Sequence, residues 1–511
     1  MKKGEILFIS VLILILGIPL LLKPETYPSD DAFFYLQVAW NIIEGNGSTF
    51  HGITETNGYH PLWMLFCSGA AFISGSKIML LHLTVLIQLL IFTGIIYLFI
   101  KLYRQLNIDK YLIALPLRGI YFLAIGTVAT EAHLNALFLL WTLLYFLKID
   151  DKPGNRNSII FGLIAGFAVL ARLDNIFIIS VILIYNFFRN KDLKQFIISS
   201  AAAALPVAIY LLWNYANFGH FFPVSGAIKS TFPNAGFDHT NLGTFGIGMN
   251  MAAAATLLYA VSFEKNKMRR QIMIVLNLGV ILHGLYVCSF TFGFTFWRWY
   301  YVAGMINFAF VISMISDKIL SFFKKDFFRY ALYIVAITVI SIIAAGRTWT
   351  EYFNPAARGY NPFQFSSKYS CIWNIETAKK LDEILPPGTR ILIHDWPGMI
   401  AYFSEMSIFP VDGLMNDYEY HEKISQSGMM DYLRDNNIEY IIVPYEEKPL
   451  FLNGIEMEIS GNDTIKLDFH STLTGDEAGS ITLDKEDMIV DFREAVPCGR
   501  TQPIGLWKLP E

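Results

Sequence analysis

The sequence predicts a polytopic α-helical membrane protein of about eleven transmembrane helices, followed by a C-terminal α/β domain outside the membrane. Of the 511 residues, 54% are hydrophobic and only 16% are charged, which is too apolar for an ordinary soluble chain of this length. The apolar residues form runs of roughly 20, the length that crosses the hydrocarbon core of a bilayer. After residue 346 the runs shorten and turn signals such as LPPGTR and SGND appear.

The apolar runs predict the individual spans. The first run is interpreted as a retained helix, because it lacks the small-residue cleavage site of a signal peptide. Residues 60–74 are also apolar, but counting them as a span would invert the charge pattern of the later loops. They are therefore predicted to form an amphipathic helix on the outer surface. The predicted spans are 5–22, 77–100, 111–128, 132–148, 158–172, 174–188, 195–213, 243–262, 271–290, 299–316 and 327–345.

Lysine and arginine predict the orientation of these spans. They are concentrated at one set of ends, for example in KLYRQLNIDK (101–110) and in EKNKMRR (264–270). Cytoplasmic loops carry such an excess, so this side and the N-terminus are predicted to be cytoplasmic in a multi-pass cell-membrane protein. Residues 1–346 then form the membrane domain, with a first outer loop at 23–76, and residues 347–511 form an extracytoplasmic α/β domain.

Several function classes lack support in the sequence. The chain has no Walker-type phosphate loop, no HExxH and no GxSxG motif, and nothing suggests nucleic-acid binding. Four cysteines exclude a disulfide-rich scaffold. A disulfide between Cys371 and Cys498 in the tail is left open by their spacing. The tail motif HDWPG (394–398) is interpreted as strand-end and turn chemistry.

Two adjacent acids, Asp30 and Asp31, lie in the first outer loop against a predicted membrane boundary. Carboxylates at a lipid interface are costly unless they are hydrated, paired or used. A positioned carboxylate can take the proton of an attacking hydroxyl group, and a neighbouring acid can orient it or hold a metal. The alternative is a helix cap, because Ser29 and the two acids precede the helical run 32–43. Both interpretations stay open at this point.

Other ionisable residues gather at the same predicted outer face. Arginine and lysine are the residues that bind phosphate, so this rim predicts an anion site. Each residue also has a structural interpretation: an ion pair between Arg172 and Asp174 at a helix break, stacking of Arg298 on a neighbouring tryptophan, and a solvated Lys229. The residues of the rim are Glu131, His133, Arg172, Asp174, Lys229 and Arg298.

Four segments, in this order, resemble the GT-C-type integral membrane glycosyltransferases that use polyprenyl-phosphate-linked sugars, in particular bacterial members related to arabinosyl- and mannosyltransferases. The resemblance covers residues 1 to about 420. The segments are DDAFFYLQVAWNIIEGNGSTFHGITETNGYHPLW (30–63), VLARLDN (169–175), NFGHFFPVSGAIKS (217–230) and HDWPGMIAYFSEMSIFPVDGLMN (394–416).

The resemblance implies transfer of a sugar, usually with inversion, to an envelope glycan, a glycolipid or a protein on the extracytoplasmic face. It implies that Asp30 is the general base and Asp31 its partner, or that the two roles are in the reverse order. Some members use a divalent cation at these acids, so Mg²⁺, Mn²⁺ or Ca²⁺ at Asp30 and Asp31 stays open. The implied donor-phosphate ligands are Arg172, Lys229 and Arg298, and the implied further substrate contacts are Glu131, His133, Asp174, Tyr59 and His60.

Two alternatives belong to other functional classes. A transporter or flippase of lipid-linked saccharides would use the charged residues to line a pathway, and an inactive homologue would serve as a scaffold in glycan assembly. Transporters place charges near the bilayer midplane, often with inverted repeats. Here the predicted charges lie at one rim and the sequence has no repeat, which favours the enzyme.

Overall fold

The computed structural model describes most of the chain: residues 20–26, 28–108, 128–151, 154–291, 298–320, 368–394, 396–445, 450–452, 455–460, 464–470, 477–495 and 504–509, with a few single residues elsewhere. The described chain is mostly helical, and its C-terminal part is a strand-containing domain. This confirms the predicted succession of a helical part and an α/β tail.

Among the described residues, the connections between the helices of the helical part include two longer loops, 44–60 and 219–242. The helices are α1 (Asp30–Ile43), α2 (Pro61–Ile73), α3 (Lys77–Gln105), α4 (Ala132–Asp151), α5 (Asn155–Ala171), α6 (Ile176–Asn190), α7 (Leu193–Phe218), α8 (Gly243–Ser262), α9 (Lys267–Phe290) and α10 (Val302–Leu320). Seven of these described helices are long and apolar enough to cross a membrane: α3, α4, α6, α7, α8, α9 and α10. A one-turn helix, Val224–Ala227, lies in the second loop.

Each of these seven helices corresponds to one predicted span. The predicted span 158–172 corresponds to α5, which has 17 residues. The predicted spans 5–22, 111–128 and 327–345 lie wholly or mostly outside the described residues. The total of eleven spans therefore stays a prediction.

Small residues let two of the helices approach closely. Helix α5 packs along α7, and Gly162 and Gly166 lie at the contact. A side chain at either glycine would overlap backbone oxygens of α7, those of Ser199 and Ala203 respectively. Close backbone approach through small residues is typical of helix pairs in membranes.

Helix α2, predicted as a surface helix, has 13 residues and is therefore about 20 Å long, too short to cross a bilayer. Its Trp63 is fully buried against the helical core, and its indole N–H donates to the Ala129 carbonyl oxygen at 2.9 Å. Leu65, Phe72 and Ile73 are exposed on its other side.

The described part of the tail contains two sheets. Their strands are β1 (Arg390–Ile393), β2 (Ser407–Pro410), β3 (Tyr440–Pro444), β4 (Leu450–Leu452), β5 (Ile455–Ser460), β6 (Thr464–His470), β7 (Glu477–Asp484), β8 (Met488–Asp491) and β9 (Ile504–Lys508). The first sheet is mixed, in the order β2-β1-β3-β9-β8, with β1 parallel to both of its neighbours; the second is antiparallel, in the order β4-β5-β6-β7. The sequence segments RILIH (390–394), EYIIV (439–443) and IKLDF (465–469) predict strands, and they correspond to β1, β3 and β6.

The described part of the tail also contains the helices α11 (Lys368–Ile384), α12 (Pro397–Phe403), α13 (Tyr418–Ser427) and α14 (Met429–Asp435), and a one-turn helix at Phe492–Ala495. Helix α12 lies against α1 of the helical part. The ring of Phe33 lies 5.3 Å from that of Tyr402 and 5.5 Å from that of Phe403, centre to centre. The tail therefore shares a hydrophobic core with the helix that carries the acid pair.

Candidate functional site

The two acids are the first two residues of α1, and they have different neighbours. Asp30 is buried, and its two carboxylate oxygens accept hydrogen bonds from the backbone amides of Gly398 and Met399, both at 2.8 Å. Asp31 lines a small cavity. Successive helix residues point about 100° apart, so one acid reaches the tail and the next faces the cavity. This geometry favours exchanging the two predicted roles, with Asp31 as the proton acceptor.

The small cavity has a volume of about 50 Å³, enough for a few water molecules or for a hydroxyl group of a substrate. Residues of the tail, Leu414 and Met415, complete its wall. The cavity is lined by Asp31, Phe34, Tyr35, Gly58, Tyr59, His60, Glu131, Arg172, Ser225, Lys229, Trp299, Tyr300, Leu414 and Met415.

A second, larger cavity of about 780 Å³ adjoins the first, and this volume is typical of ligand-binding sites. The two cavities share His60, Arg172, Ser225, Lys229 and Tyr300. Away from this shared wall the larger cavity is mainly apolar. Its apolar side is formed by residues such as Ile176, Phe177, Phe221, Phe222, Phe232 and Val287. A charged group and an apolar chain of one ligand could therefore bind side by side.

Arg172 stands at the break between α5 and α6, where the 3-10 turn Leu173–Asn175 interrupts the helices. Its side chain is 2% exposed. Nε donates to Asp174 Oδ2 at 2.9 Å, Nη1 donates to Glu131 Oε1, and the guanidinium lies 4.0 Å from the ring centre of Tyr300. The ion pair with Asp174 is the structural alternative considered for this residue, and Glu131 adds a second carboxylate. Arg172 is thus compensated before any ligand binds.

Lys229 is the second cation in the shared wall. Its Nζ donates to the Tyr300 hydroxyl oxygen at 2.8 Å. Burial opposes its charge, but Tyr300, Asp31 and Asp412 outweigh burial and raise the pKa of Lys229 above the usual value. Lys229 therefore stays protonated at neutral pH, and it lies where the two cavities meet.

Glu131 connects Arg172 to the first outer loop. The Tyr35 hydroxyl donates to Glu131 Oε2 at 3.0 Å and accepts a hydrogen bond from the His60 backbone amide at 3.4 Å. His60 Nε2 lies 3.9 Å from Glu131 Oε1. Burial lowers the pKa of His60 to about 4, although Glu131 acts in the opposite direction. His60 is therefore neutral at pH 7 and can donate or accept a hydrogen bond at the cavity.

The remaining predicted residues divide into three cases. Tyr59 lines the small cavity, with its hydroxyl 2.7 Å from that of Ser48. His133 is buried against the edge of Phe92, with ring centres 6.2 Å apart, and it is not among the described residues that line the two cavities. Arg298 begins a 3-10 turn, Arg298–Tyr301, and its side chain lies outside the described part of the structure.

Three of the cavity residues that were not predicted could have a functional role. Tyr300 contacts both Arg172 and Lys229, and it lies two residues after Arg298 in the aromatic stretch FTFWRWYY, residues 294–301. His283 Nε2 lies 3.5 Å from Asp174 Oδ2; a histidine inside an apolar span is a signal that could have identified it. Tyr418 of the tail lines the larger cavity, and no local signal marks it.

Both carboxylate oxygens of Asp30 accept hydrogen bonds from backbone amides, which leaves each oxygen one lone pair. Within the described residues there is no group of three His, Cys, Asp or Glu side chains arranged to hold a metal. A divalent cation at Asp30 and Asp31 therefore stays a prediction.

Buried histidines at the tail and the first loop predict acid sensitivity. Burial lowers the pKa of His51 from 6.5 to about 3, with a contribution from Arg390, and burial lowers that of His421 to about 4. As pH falls from 6.5 towards 4, the unfolded chain binds protons that the folded chain does not. We therefore expect the free energy of unfolding to fall over this range, by about 1–3 kcal/mol for each histidine, and to be constant above it.

Thermal unfolding of the purified protein across this pH range measures the effect. The variant His51→Gln should show a weaker pH dependence than the wild type. The exposed His239 provides a control, since His239→Gln should keep the wild-type profile. An unchanged profile in His51→Gln would contradict the prediction.

Comparison of the sequence with protein-family models and with curated proteins finds no match to either.

Proposed function

We propose that this protein is a membrane glycosyltransferase that moves a sugar from a polyprenyl-phosphate-linked donor to a glycan, glycolipid or protein acceptor, with inversion at the anomeric carbon. It lies in the cell membrane, with the N-terminus in the cytoplasm and the tail on the extracytoplasmic side. The site faces that side. The proposal combines the resemblance of the four segments to GT-C-type enzymes with the geometry of the two cavities.

One observation carries the proposal. A carboxylate, Asp31, and a protonated lysine, Lys229, line the same small cavity, and Lys229 also lines the mainly apolar larger cavity. Transfer from a lipid phosphate requires a proton acceptor at one point, a cation at a neighbouring point and an apolar surface beyond the cation. These three features occur here in that order.

In the proposed reaction, Asp31 takes the proton of an acceptor hydroxyl group. The hydroxyl oxygen forms a bond to the anomeric carbon as the bond from that carbon to the phosphate oxygen breaks. The electron pair of the breaking bond leaves with the lipid phosphate, and the proton stays on Asp31. Attack from the face opposite the phosphate inverts the anomeric carbon.

Negative charge develops on the phosphate as the sugar leaves, and a fixed cation stabilises it most at that moment. Lys229 is suited to this role because its Nζ is held by the Tyr300 hydroxyl. Arg172 holds Glu131, Asp174 and Tyr300 in place around it. The apolar side of the larger cavity then receives the first part of the prenyl chain.

The test is an assay of the purified full-length protein in lipid nanodiscs with a panel of radiolabelled polyprenyl-phosphate sugars. Membrane and envelope extracts serve as the source of acceptors. Release of lipid phosphate together with transfer of label is the expected result, and it identifies the donor. Donor binding with translocation of the label across the bilayer, but without release of lipid phosphate, would support the flippase. Binding of no lipid-linked sugar would overturn the proposal.

The variant Lys229→Gln tests the phosphate contact. Loss of a hydrogen bond to a charged group costs about 1.5–3 kcal/mol, so kcat/KM for the donor should fall by about 10- to 150-fold while the acceptor KM changes little. Steady-state kinetics with each substrate varied in turn measure the two constants. Lys379→Gln is the matched control, because Lys379 is a surface residue of the tail paired with Glu376. An effect confined to the acceptor KM would contradict the assignment.

A further inference from the structure

We propose that Asp30 is a positioning residue that fastens the C-terminal domain to the acid-bearing helix and thereby makes the tail a fixed wall of the substrate cavity. The fastening itself depends only on the described contacts. Its consequence for catalysis rests on the proposed function.

The first observation is a helix cap that comes from a distant part of the chain. The first backbone amides of a helix have no acceptor within that helix. Trp396, at the position before α12, makes no side-chain hydrogen bond that caps the helix. Asp30 instead accepts from the second and third residues of α12, Gly398 and Met399. These are the positions that a local Asp, Ser or Asn cap would bind.

The second observation is the close approach that this cap requires. A Cβ atom on Gly398 would lie 2.5 Å from the Asp30 carbonyl oxygen, 2.9 Å from Phe34 Cδ1 and 3.0 Å from Asp30 Oδ2. Such distances are shorter than ordinary contacts, and the first is to backbone, which cannot move without moving α1. Only glycine at residue 398 therefore allows α12 to reach Asp30.

The third observation is that the same interface is tied at the far end of α12. Lys77 Nζ donates to the Tyr402 carbonyl oxygen at 2.9 Å, and the Tyr402 hydroxyl donates to the Lys77 carbonyl oxygen. Both ends of the seven-residue helix are thus bound to the helical part. The helix cannot tilt away from α1 without breaking one of the two attachments.

The tail segment that follows α12 and β2 reaches the cavities. Leu414 and Met415 line the small cavity beside Asp31, and Tyr418 lines the larger one. A side chain at Gly58 would overlap the Leu414 carbonyl oxygen. Tyr418 stacks on His220, with ring centres 3.6 Å apart, and its hydroxyl donates to the Phe222 carbonyl oxygen at 2.8 Å. The walls of both cavities therefore depend on how the tail is seated.

Asp30 and Asp31 are consecutive residues of α1, so a shift of the Asp30 contact also shifts Asp31. A misplacement of about 1 Å between reacting groups can cost about 100-fold in rate. In this proposal the adjacent acids have different roles: Asp30 holds the tail in position, and Asp31 accepts the proton.

Amide hydrogen exchange of the full-length protein tests the fastening without any substrate. In Asp30→Asn the amide side chain keeps one acceptor oxygen, and its NH₂ group faces the second backbone N–H. Exchange in a peptide that covers residues 396–403 should become about tenfold faster or more. Gly398→Ala should give the same increase from the other side of the contact. Asp431→Asn, a surface change in α14, and Gly248→Ala, which meets open space, should leave this peptide unchanged.

Transfer kinetics test the consequence. Asp30→Asn and Gly398→Ala should each lower kcat by about 10- to 100-fold, and the double variant should lose no more than either single variant. A loss in the double variant that is no larger than in either single variant indicates that both changes act through the same contact. Because Gly398 carries no side chain that could take part in the reaction, this result distinguishes positioning from proton transfer.

Two results would overturn the inference or part of it, and a third would defeat only the proposed function. Unchanged exchange at residues 396–403 in Asp30→Asn would overturn the fastening, whatever the activity. Loss of transfer in Asp30→Asn together with wild-type transfer in Gly398→Ala would make Asp30 the proton acceptor and not a positioning residue. Absence of transfer in the wild type would defeat the proposed function instead, and the exchange measurement would still decide the fastening.

Discussion

Replacing Asp31 with Asn is expected to lower the rate of sugar transfer by about 10²- to 10⁴-fold, the contribution typical of a general base. The amide has nearly the same size as the carboxylate but cannot take up a proton at neutral pH. Donor affinity should change little, because Lys229 and the apolar cavity remain. Single-turnover transfer from a radiolabelled donor measures the rate of the chemical step separately from binding.

The variant Asp30→Asn is the matched comparison for Asp31→Asn. The two variants make the same chemical change at adjacent residues, yet the loss should be larger for Asp31, because in the proposed reaction only Asp31 takes the proton of the acceptor. Asp31→Glu should recover part of the rate, since the carboxylate is kept and only its position changes. Wild-type transfer in Asp31→Asn would remove Asp31 as the proton acceptor.

The long helices could be predicted from the sequence because runs of roughly 20 apolar residues have the length that crosses a bilayer. The run 77–100, for example, lies within the observed α3, Lys77–Gln105. The helix continues past the apolar run, because backbone hydrogen bonding extends into the polar residues that follow. Hydropathy therefore predicts the existence of a helix better than it predicts where the helix ends.

The acid pair could be identified from the sequence, but the different surroundings of Asp30 and Asp31 could not. Periodicity predicts that the two side chains diverge around α1 without indicating which direction faces a ligand. That choice depends on Gly398 and Met399, which lie 368 and 369 residues away from Asp30. The same holds for Tyr418, whose place in the cavity wall is fixed by the seating of the tail and not by its neighbours in sequence.

The sequence also could not show how the rim charges are paired. The local spacing of Arg172 and Asp174 predicts an ion pair, and this pair is present. The contact of Arg172 with Glu131 joins residues 41 positions apart and changes the interpretation of Arg172. Arg172 forms ion pairs with two carboxylates, Glu131 and Asp174, which supports a structural role for it, and the proposed function leaves the donor phosphate to Lys229 at the wall shared by the two cavities.

Replacing Arg172 with Gln is accordingly expected to destabilise the fold by about 3–5 kcal/mol, the cost of removing one partner from a buried ion pair. Glu131 and Asp174, whose side chains are 4% and 21% exposed, would lose their common cation, and Tyr300 would lose the guanidinium beneath its ring. Thermal unfolding of the purified variant in nanodiscs measures the loss. Arg434→Gln is the control, because the pair of Arg434 with Asp431 is exposed at the surface and should be worth about 1 kcal/mol or less.

The double variant Arg172→Gln/Glu131→Gln separates the two roles of this arginine. Removing the carboxylate together with the cation leaves no unpaired charge on Glu131, so part of the stability should return. If Arg172 also binds the donor phosphate, the donor KM should be raised in the single variant and should stay raised in the stabilised double variant. We expect instead that the double variant regains part of the stability and has a donor KM close to that of the wild type. That result would assign Arg172 to the architecture of the site and leave the phosphate to Lys229, whereas a KM that stays raised would return Arg172 to the donor site.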